Sequence, residues 1–277
     1  MHYRIVENPN HPTLVCVPGL MGGPEDFFGI KAAIQSKFQV IYVDPNQARK
    51  EVGLSNLSLE ETKAVSFDTS ASEIKEILTG HKIANAYFLG VSLGGKIVYD
   101  FAIRYPGSFL GGVISDVGPA SFMESDLATL VTGIVDQTNL NLTWDEVKKH
   151  LKETIPDRNL RSLLQSQISY PNQIPPGIWK TGMRGLRTLL QNNLIDDKVV
   201  AFSEANLELL RLNRKITVLV ASHHGGITRA GVEQMKAWRS LELIDIPNSA
   251  HFLHVTHKEE LQSAVLSLLK SDGLPSY

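Results

Sequence analysis

Short apolar runs alternate with amphipathic stretches of helical period along these 277 residues, and no other feature of the chain constrains its fold so tightly. Runs at Thr13–Val17, Phe38–Val43, Ala86–Leu89, Gly112–Ser115, Ile216–Ala221 and Leu241–Ile246 predict strands, with an edge strand at Tyr3–Glu7. Most inner runs are apolar almost throughout, the pattern of strands covered on both faces. The stretches between them read as helices. Ile97, Val98, Phe101 and Ala102 share one face of a helix over Gly95–Tyr105 that Pro106 stops. Leu261, Ala264, Val265, Leu268 and Leu269 stripe a C-terminal helix, with Thr256-His257-Lys258-Glu259 as its expected capping box. This alternation predicts an α/β fold: a mostly parallel central sheet with helices on both faces.

The rhythm fails between Pro119 and Asn213, where several helices and no convincing strand are expected. Thr143-Trp144-Asp145-Glu146 is a capping-box pattern followed by Val147 and Leu151, Asp157 is a candidate cap for the next helix, and Tyr170-Pro171 and Pro175-Pro176-Gly177 are loop punctuation. The expected organisation is a core of residues 1–118 and 214–277, with 119–213 as a helical insertion.

Composition narrows the function classes. Lys+Arg 27 against Asp+Glu 29 carries no nucleic-acid footprint. Cys16 is the single cysteine, so no intrachain disulfide forms, and no Cys/His spacing suggests a metal site. No apolar run reaches the roughly 18 residues of a membrane span. The residues Met1 to Glu7 lack the apolar core of a signal peptide, so a cytoplasmic location is expected. Oligomeric state is not written in the sequence.

Chemistry enters at Phe88-Leu89-Gly90-Val91-Ser92-Leu93-Gly94-Gly95, a G-x-S-x-G pattern between a predicted strand and a predicted helix. A serine on such a sharp turn presents its hydroxyl above the sheet, and small residues two positions to either side admit the neighbouring chain. With these residues the chain resembles the α/β-hydrolase superfamily. The loop Val17-Pro18-Gly19-Leu20-Met21-Gly22-Gly23 strengthens the resemblance, since relatives carry His-Gly-x-x-Gly there. The resemblance implies an oxyanion hole made by the backbone N–H groups of Leu20 and Leu93. Pro18 stands where relatives have histidine, so the hydrogen bonds supporting this loop must differ.

The resemblance also implies a base at His251, in Asn248-Ser249-Ala250-His251-Phe252 between the last strand and the last helix. His254 and His257 fall in a turn or helix start, where exposed or capping roles are expected. The pair His223-His224 reads as solvated loop. The acid is anomalous. Relatives usually carry it after the strand here ending at Ala221, but Ser222-His223-His224-Gly225-Gly226-Ile227-Thr228 contains no carboxylate. One strand earlier, Ser115-Asp116-Val117-Gly118-Pro119 offers Asp116, and some relatives place the acid there. The order Ser92, Asp116, His251 keeps the Ser, acid, His sequence of the family. Alternatively Asp116 is a turn residue that opens the insertion.

Relatives place a helical cap where the alternation breaks. Met21 in the oxyanion loop and Phe122, Met123, Trp144, Trp179 and Met183 in the insertion are candidate substrate contacts, with ordinary packing the competing role for each. The expected activity is that of a cofactor-free serine hydrolase cleaving carboxylic esters of small molecules through an acyl-enzyme. The same residues serve thioesterases, C–C bond hydrolases and elimination-type synthases. A binding protein that kept the fold and lost the acid is the alternative from another class.

Overall fold

The computed structural model describes residues 1–19, 22–45, 69–120, 133, 137–156, 158–166, 168–169, 177–179, 199–223 and 226–271. Strands β1 (His2–Val6), β2 (Thr13–Val17), β3 (Gln39–Asp44), β4 (Ala86–Val91), β5 (Phe109–Ser115), β8 (Ile216–Ala221) and β9 (Leu241–Ile246) form one sheet in the order β1-β3-β2-β4-β5-β8-β9. Only β1 runs antiparallel, against β3; the other pairs in this sheet are parallel. A mixed sheet dominated by parallel pairs is the expected α/β architecture.

Adjacent residues of the inner strands enter two different cores. Val15, Ile41, Phe88, Ile114 and Val218 face one side, together with α2 (Ser70–Gly80), α3 (Leu93–Arg104) and α6 (Val199–Arg211). Leu14, Cys16, Val40, Leu89, Val113 and Leu219 face the other, with α1 (Lys31–Gln35) and α9 (Lys258–Ser271). Burial on both faces is why these strands read as continuous apolar runs. Cys16 is fully buried, and burial raises its thiol pKa well above the ordinary value, which leaves it inert.

Three details differ from expectation. β5 begins at Phe109, three residues earlier than its apolar run, because the register with β4 jumps from Ala86↔Phe109 to Tyr87↔Gly111. Gly111 takes φ 154° at this bulge, and the extra residue breaks the pattern that marks a strand. Within the 119–213 segment lie α4 (Trp144–Thr154) and α5 (Arg158–Ser166), but also a strand pair, β6 (Ile168–Ser169) with β7 (Ile178–Trp179). Two residues per strand are too few to set up a readable period. Finally, Thr256 does not box the last helix. It closes the single turn α8 (Leu253–Thr256), its hydroxyl donating to the Phe252 carbonyl and bonding the His257 ring.

The capping box at Thr143 is present, with Glu146 bound to both the Thr143 amide and hydroxyl. Asp157 and the Tyr170–Pro176 punctuation lie outside the described residues. Helix α6 closes the segment by packing into the main core. The buried Phe202 meets Tyr99 of α3 edge-on at 5.2 Å and Trp238 at 5.3 Å.

Candidate active site

Parallel strands bring their carboxyl ends to one edge of the sheet, where an α/β protein collects its functional loops. β4 and β5 lie side by side there, and each is followed by a residue with left-handed backbone: Ser92 at φ 50° and Asp116 at φ 51°. The Ser92 amide donates to the Ser115 carbonyl at 2.9 Å, and the Asp116 amide to the Leu219 carbonyl at 2.9 Å. The sheet's own hydrogen bonds thus hold both turns in conformations that a non-glycine residue rarely adopts.

The turn at Ser92 is possible because its flanks lack β-carbons. A Cβ at Gly90 would sit 2.7 Å from the Gly95 Cα, and one at Gly94 would collide with the carbonyl oxygens of Val17 and Pro18. Ser92 occupies the N-cap position of α3 without making a side-chain cap bond, and its hydroxyl instead meets His251 Nε2 at 2.7 Å. Leu93, just after it, is the first helical residue, so its N–H has no acceptor within the helix.

His251 arrives from the loop after β9, which a clasp ties to the loop after β8. The Ser222 amide and the Ser249 amide each donate to the other residue's hydroxyl, at 3.2 and 3.0 Å. Ser249 Oγ donates to the Ile246 carbonyl, and the His223 amide to the Ser249 carbonyl. The clasp sets His251 beside Asp116, and its Nδ1 lies 2.8 Å from Asp116 Oδ2. An ionised carboxylate only accepts, so Nδ1 carries the proton and Nε2 is left to accept from Ser92.

Asp116 is fully buried and has no room for an unpaired oxygen. Oδ1 accepts from the Ala221 amide at 2.9 Å, and Oδ2 accepts from the Gly226 amide at 2.7 Å as well as from His251. The last residue of β8 and the loop after it therefore contribute one backbone donor each to the Asp116 carboxylate. Gly226 permits this closeness, since a Cβ there would collide with the Asp116 carbonyl and stand 2.9 Å from His251 Cε1. A parallel bridge between Val117 and Gly226 continues the β5–β8 pairing past the strand ends.

The remaining sequence-based candidates separate. Leu20, Met21, Phe122, Met123 and Met183 lie outside the described residues, as does the side chain of Trp179. Trp144 packs against the core with the Lys148 ammonium 5.6 Å over its ring. His223 is exposed. His254 departs from its expected exposure: its Nδ1 is buried without a hydrogen-bond partner among the described residues. Burial, and after it the charge of nearby His251, push its pKa down to about 4. Among the described residues no group of His, Cys, Asp or Glu is arranged to hold a metal ion.

Two features lie beyond the residues singled out in the sequence. Lys96 is buried in α3, one turn past Ser92, and its ammonium donates to the Ala120 carbonyl. Asp26 Oδ2 accepts from the Gly19 amide at 2.9 Å. The second had a signal in Pro18, whose departure from the family's histidine demanded a different support for the loop.

The alpha/beta hydrolase fold family model matches residues 12–258. The chain belongs to the α/β-hydrolase fold family. Its structure is similar to a marine microorganism esterase (16% identity, TM-score 0.68, 97% of this chain and 98% of that one). It is likewise similar to a structure described among carboxylesterases of the thaumarchaeon Nitrososphaera gargenis (15%, TM-score 0.65, 97% and 93%). A third similar structure is the enol-lactonase of Burkholderia xenovorans LB400 (14%, TM-score 0.62, 97% and 96%). No curated protein matches the sequence. At these identities the likeness extends to the fold. None of the helices in the described residues is long and apolar enough to cross a membrane.

Proposed function

We propose that this chain is a serine hydrolase that cleaves carboxylic esters of small molecules through an acyl-enzyme. The observation that carries the reading is the unbroken chain Asp116 Oδ2–His251 Nδ1 at 2.8 Å and His251 Nε2–Ser92 Oγ at 2.7 Å, ending on a strained turn at the sheet edge. Ser92 Oγ attacks the ester carbonyl while its proton passes to His251 Nε2. Asp116 holds the imidazole in the required tautomer and stabilises the imidazolium. The amides of Leu93 and Leu20 receive the oxyanion. As the intermediate collapses, His251 returns the proton to the departing alkoxide, which leaves as an alcohol. A water then gives its proton to His251 and attacks the acyl carbonyl, freeing the acid and restoring Ser92. Nucleophile, base, acid and donors all belong to the chain itself.

The 119–213 segment is proposed as the cap that shapes the acyl and alcohol pocket, with α6 anchoring its end in the core; the near-neutral charge of the chain suits a small, mostly uncharged ester, and a cytoplasmic location is proposed with it. Esterase and enol-lactonase neighbours accord with carbonyl chemistry of this kind. The binding-protein alternative rested on the carboxylate missing after Ala221, and the Asp116–His251 contact speaks against it. Turnover of short- and medium-chain p-nitrophenyl esters tests the reading. Wild type should hydrolyse them and Ser92→Ala should fall to background; equal rates would sink it. A thioester arm in the same assay decides the preferred acyl donor.

A further inference from the structure

We infer that Asp26 is a positioning residue of the oxyanion loop, an inference that rests on the serine-hydrolase reading. Asp26 lies in the 3-10 turn Pro24–Phe27, at some distance along the chain from the nucleophile. Its Oδ2 accepts from the Gly19 amide at 2.9 Å, while the Gly19 carbonyl accepts from the Gly22 amide at 3.1 Å, so both backbone groups of Gly19 are held. Its own amide donates to the Gly23 carbonyl at 3.1 Å, which ties the far end of the loop to the same residue. The carboxylate lies so tightly under Gly22 that a Cβ there would collide with it.

The held segment abuts the nucleophile. A Cβ at Gly19 would stand 3.4 Å from the Val91 carbonyl oxygen and 3.5 Å from Ser92 Cβ. Gly19 immediately precedes the residue whose N–H the proposed function assigns to the oxyanion, so what holds the Gly19 backbone bears on that donor. Asp26 thereby supports a loop in which Pro18 stands where relatives have histidine. What the loop needs from Asp26 is an acceptor. A charge is not required, and a negative one close to a developing oxyanion works against catalysis.

Asp26→Asn and Asp26→Ala separate these roles. Three readouts apply: hydrogen exchange of the Gly19 amide, kcat and KM on p-nitrophenyl butyrate, and affinity for a trifluoromethyl ketone that mimics the tetrahedral intermediate. In Asp26→Ala, the Gly19 amide should lose its protection and kcat should fall about 100-fold, the order expected for an impaired oxyanion donor. KM should stay within about threefold, and the ketone should weaken in proportion to kcat. Asp26→Asn should keep both the protection and kcat within about fivefold of wild type. A protected Gly19 amide or an undiminished kcat in the alanine variant overturns the inference. So does a hundredfold loss in the asparagine variant, which keeps the test decisive if Asp26→Ala does not fold. Wild type inert toward esters overturns the hydrolase reading as well, whereas an active wild type with an equally active Asp26→Ala overturns this inference alone.

Discussion

Three donors converge on the Asp116 carboxylate: the Ala221 amide, the Gly226 amide and the His251 imidazole. Because the side chain is fully buried, each bond is made in a low-dielectric setting, and a deletion strands donors that water does not reach. Asp116→Asn preserves shape but turns one acceptor into a donor. Where the amide group faces Gly226 and His251, two donors meet, and the imidazole tautomer is disturbed. Turnover should drop by about 10³–10⁴-fold with the fold retained, by analogy with the tautomer error in serine proteases. Steady-state kinetics beside a thermal melt separates the two effects, and an unchanged rate removes Asp116 from the triad. His254 gives a second prediction. Its pKa near 4 in the folded chain lies below the ordinary histidine value, so the unfolded chain binds the extra proton. Its contribution is whole above about pH 6.5 and is lost as pH falls toward 4, a change of order 2–3 kcal/mol. His254→Asn should therefore lose less stability than wild type between pH 7.5 and pH 4.5 in urea titrations; parallel losses would contradict this.

At the scale of elements, the end of β8 and the loop after it meet the Asp116 carboxylate with two amides, those of Ala221 and Gly226. Gly226 permits this approach, because a Cβ there would collide with the Asp116 carbonyl oxygen and stand 2.9 Å from His251 Cε1. Gly226→Asp should not install a second acid at the usual family position. The Cβ forces the loop away from β5, breaks the Gly226–Asp116 bond, and should lower both stability and turnover. The expected loss is about 1–3 kcal/mol, as for other overpacked sites. A Gly226→Asp, Asp116→Asn double variant that recovers wild-type rate would refute this. The Ser222–Ser249 clasp makes a gentler prediction. Either alanine variant should slow turnover modestly, and the two should couple by about 0.5–3 kcal/mol in a double-mutant cycle. These contacts also explain what is legible in the sequence. Ser92 and His251 stand in short local patterns, strand before and helix after, and both are readable. Asp116 enters only through the resemblance, since some relatives carry their acid one strand earlier, and the pattern by itself equally suits a turn residue. Its amide partners are not readable, since nothing in Ala221–Gly226 marks a backbone N–H as a donor to a residue more than a hundred positions away. Pro18 signals that its loop needs some other support but not that Asp26 supplies it, and Thr256 misleads because its local capping pattern is outweighed by the Phe252 carbonyl.

The whole molecule is a sheet whose two cores carry a site along one edge. Its strands are readable to within a residue or two where both faces are buried, as at Thr13–Val17 and Ile216–Ala221, because continuous apolar runs report that burial directly. Legibility fails where geometry leaves the regular ladder, at the Gly111 bulge and in the two-residue pair β6–β7. Among the described residues, Phe202 is one point where the 119–213 segment packs on the rest of the chain, meeting Tyr99 and Trp238. Phe202→Ala should destabilise the protein by about 3–5 kcal/mol, measured as a urea midpoint shift. A shift near zero would mean that α6 is not part of the cooperative unit. The central claim remains the chemistry of Ser92. The most direct measurement is peptide mapping by mass spectrometry after exposure of folded wild type, Ser92→Ala and His251→Ala to a fluorophosphonate. One phosphonyl adduct on Ser92 in wild type, none in Ser92→Ala and far slower labelling in His251→Ala is the predicted result. A folded wild-type chain left unlabelled, or labelled on another residue, would contradict it.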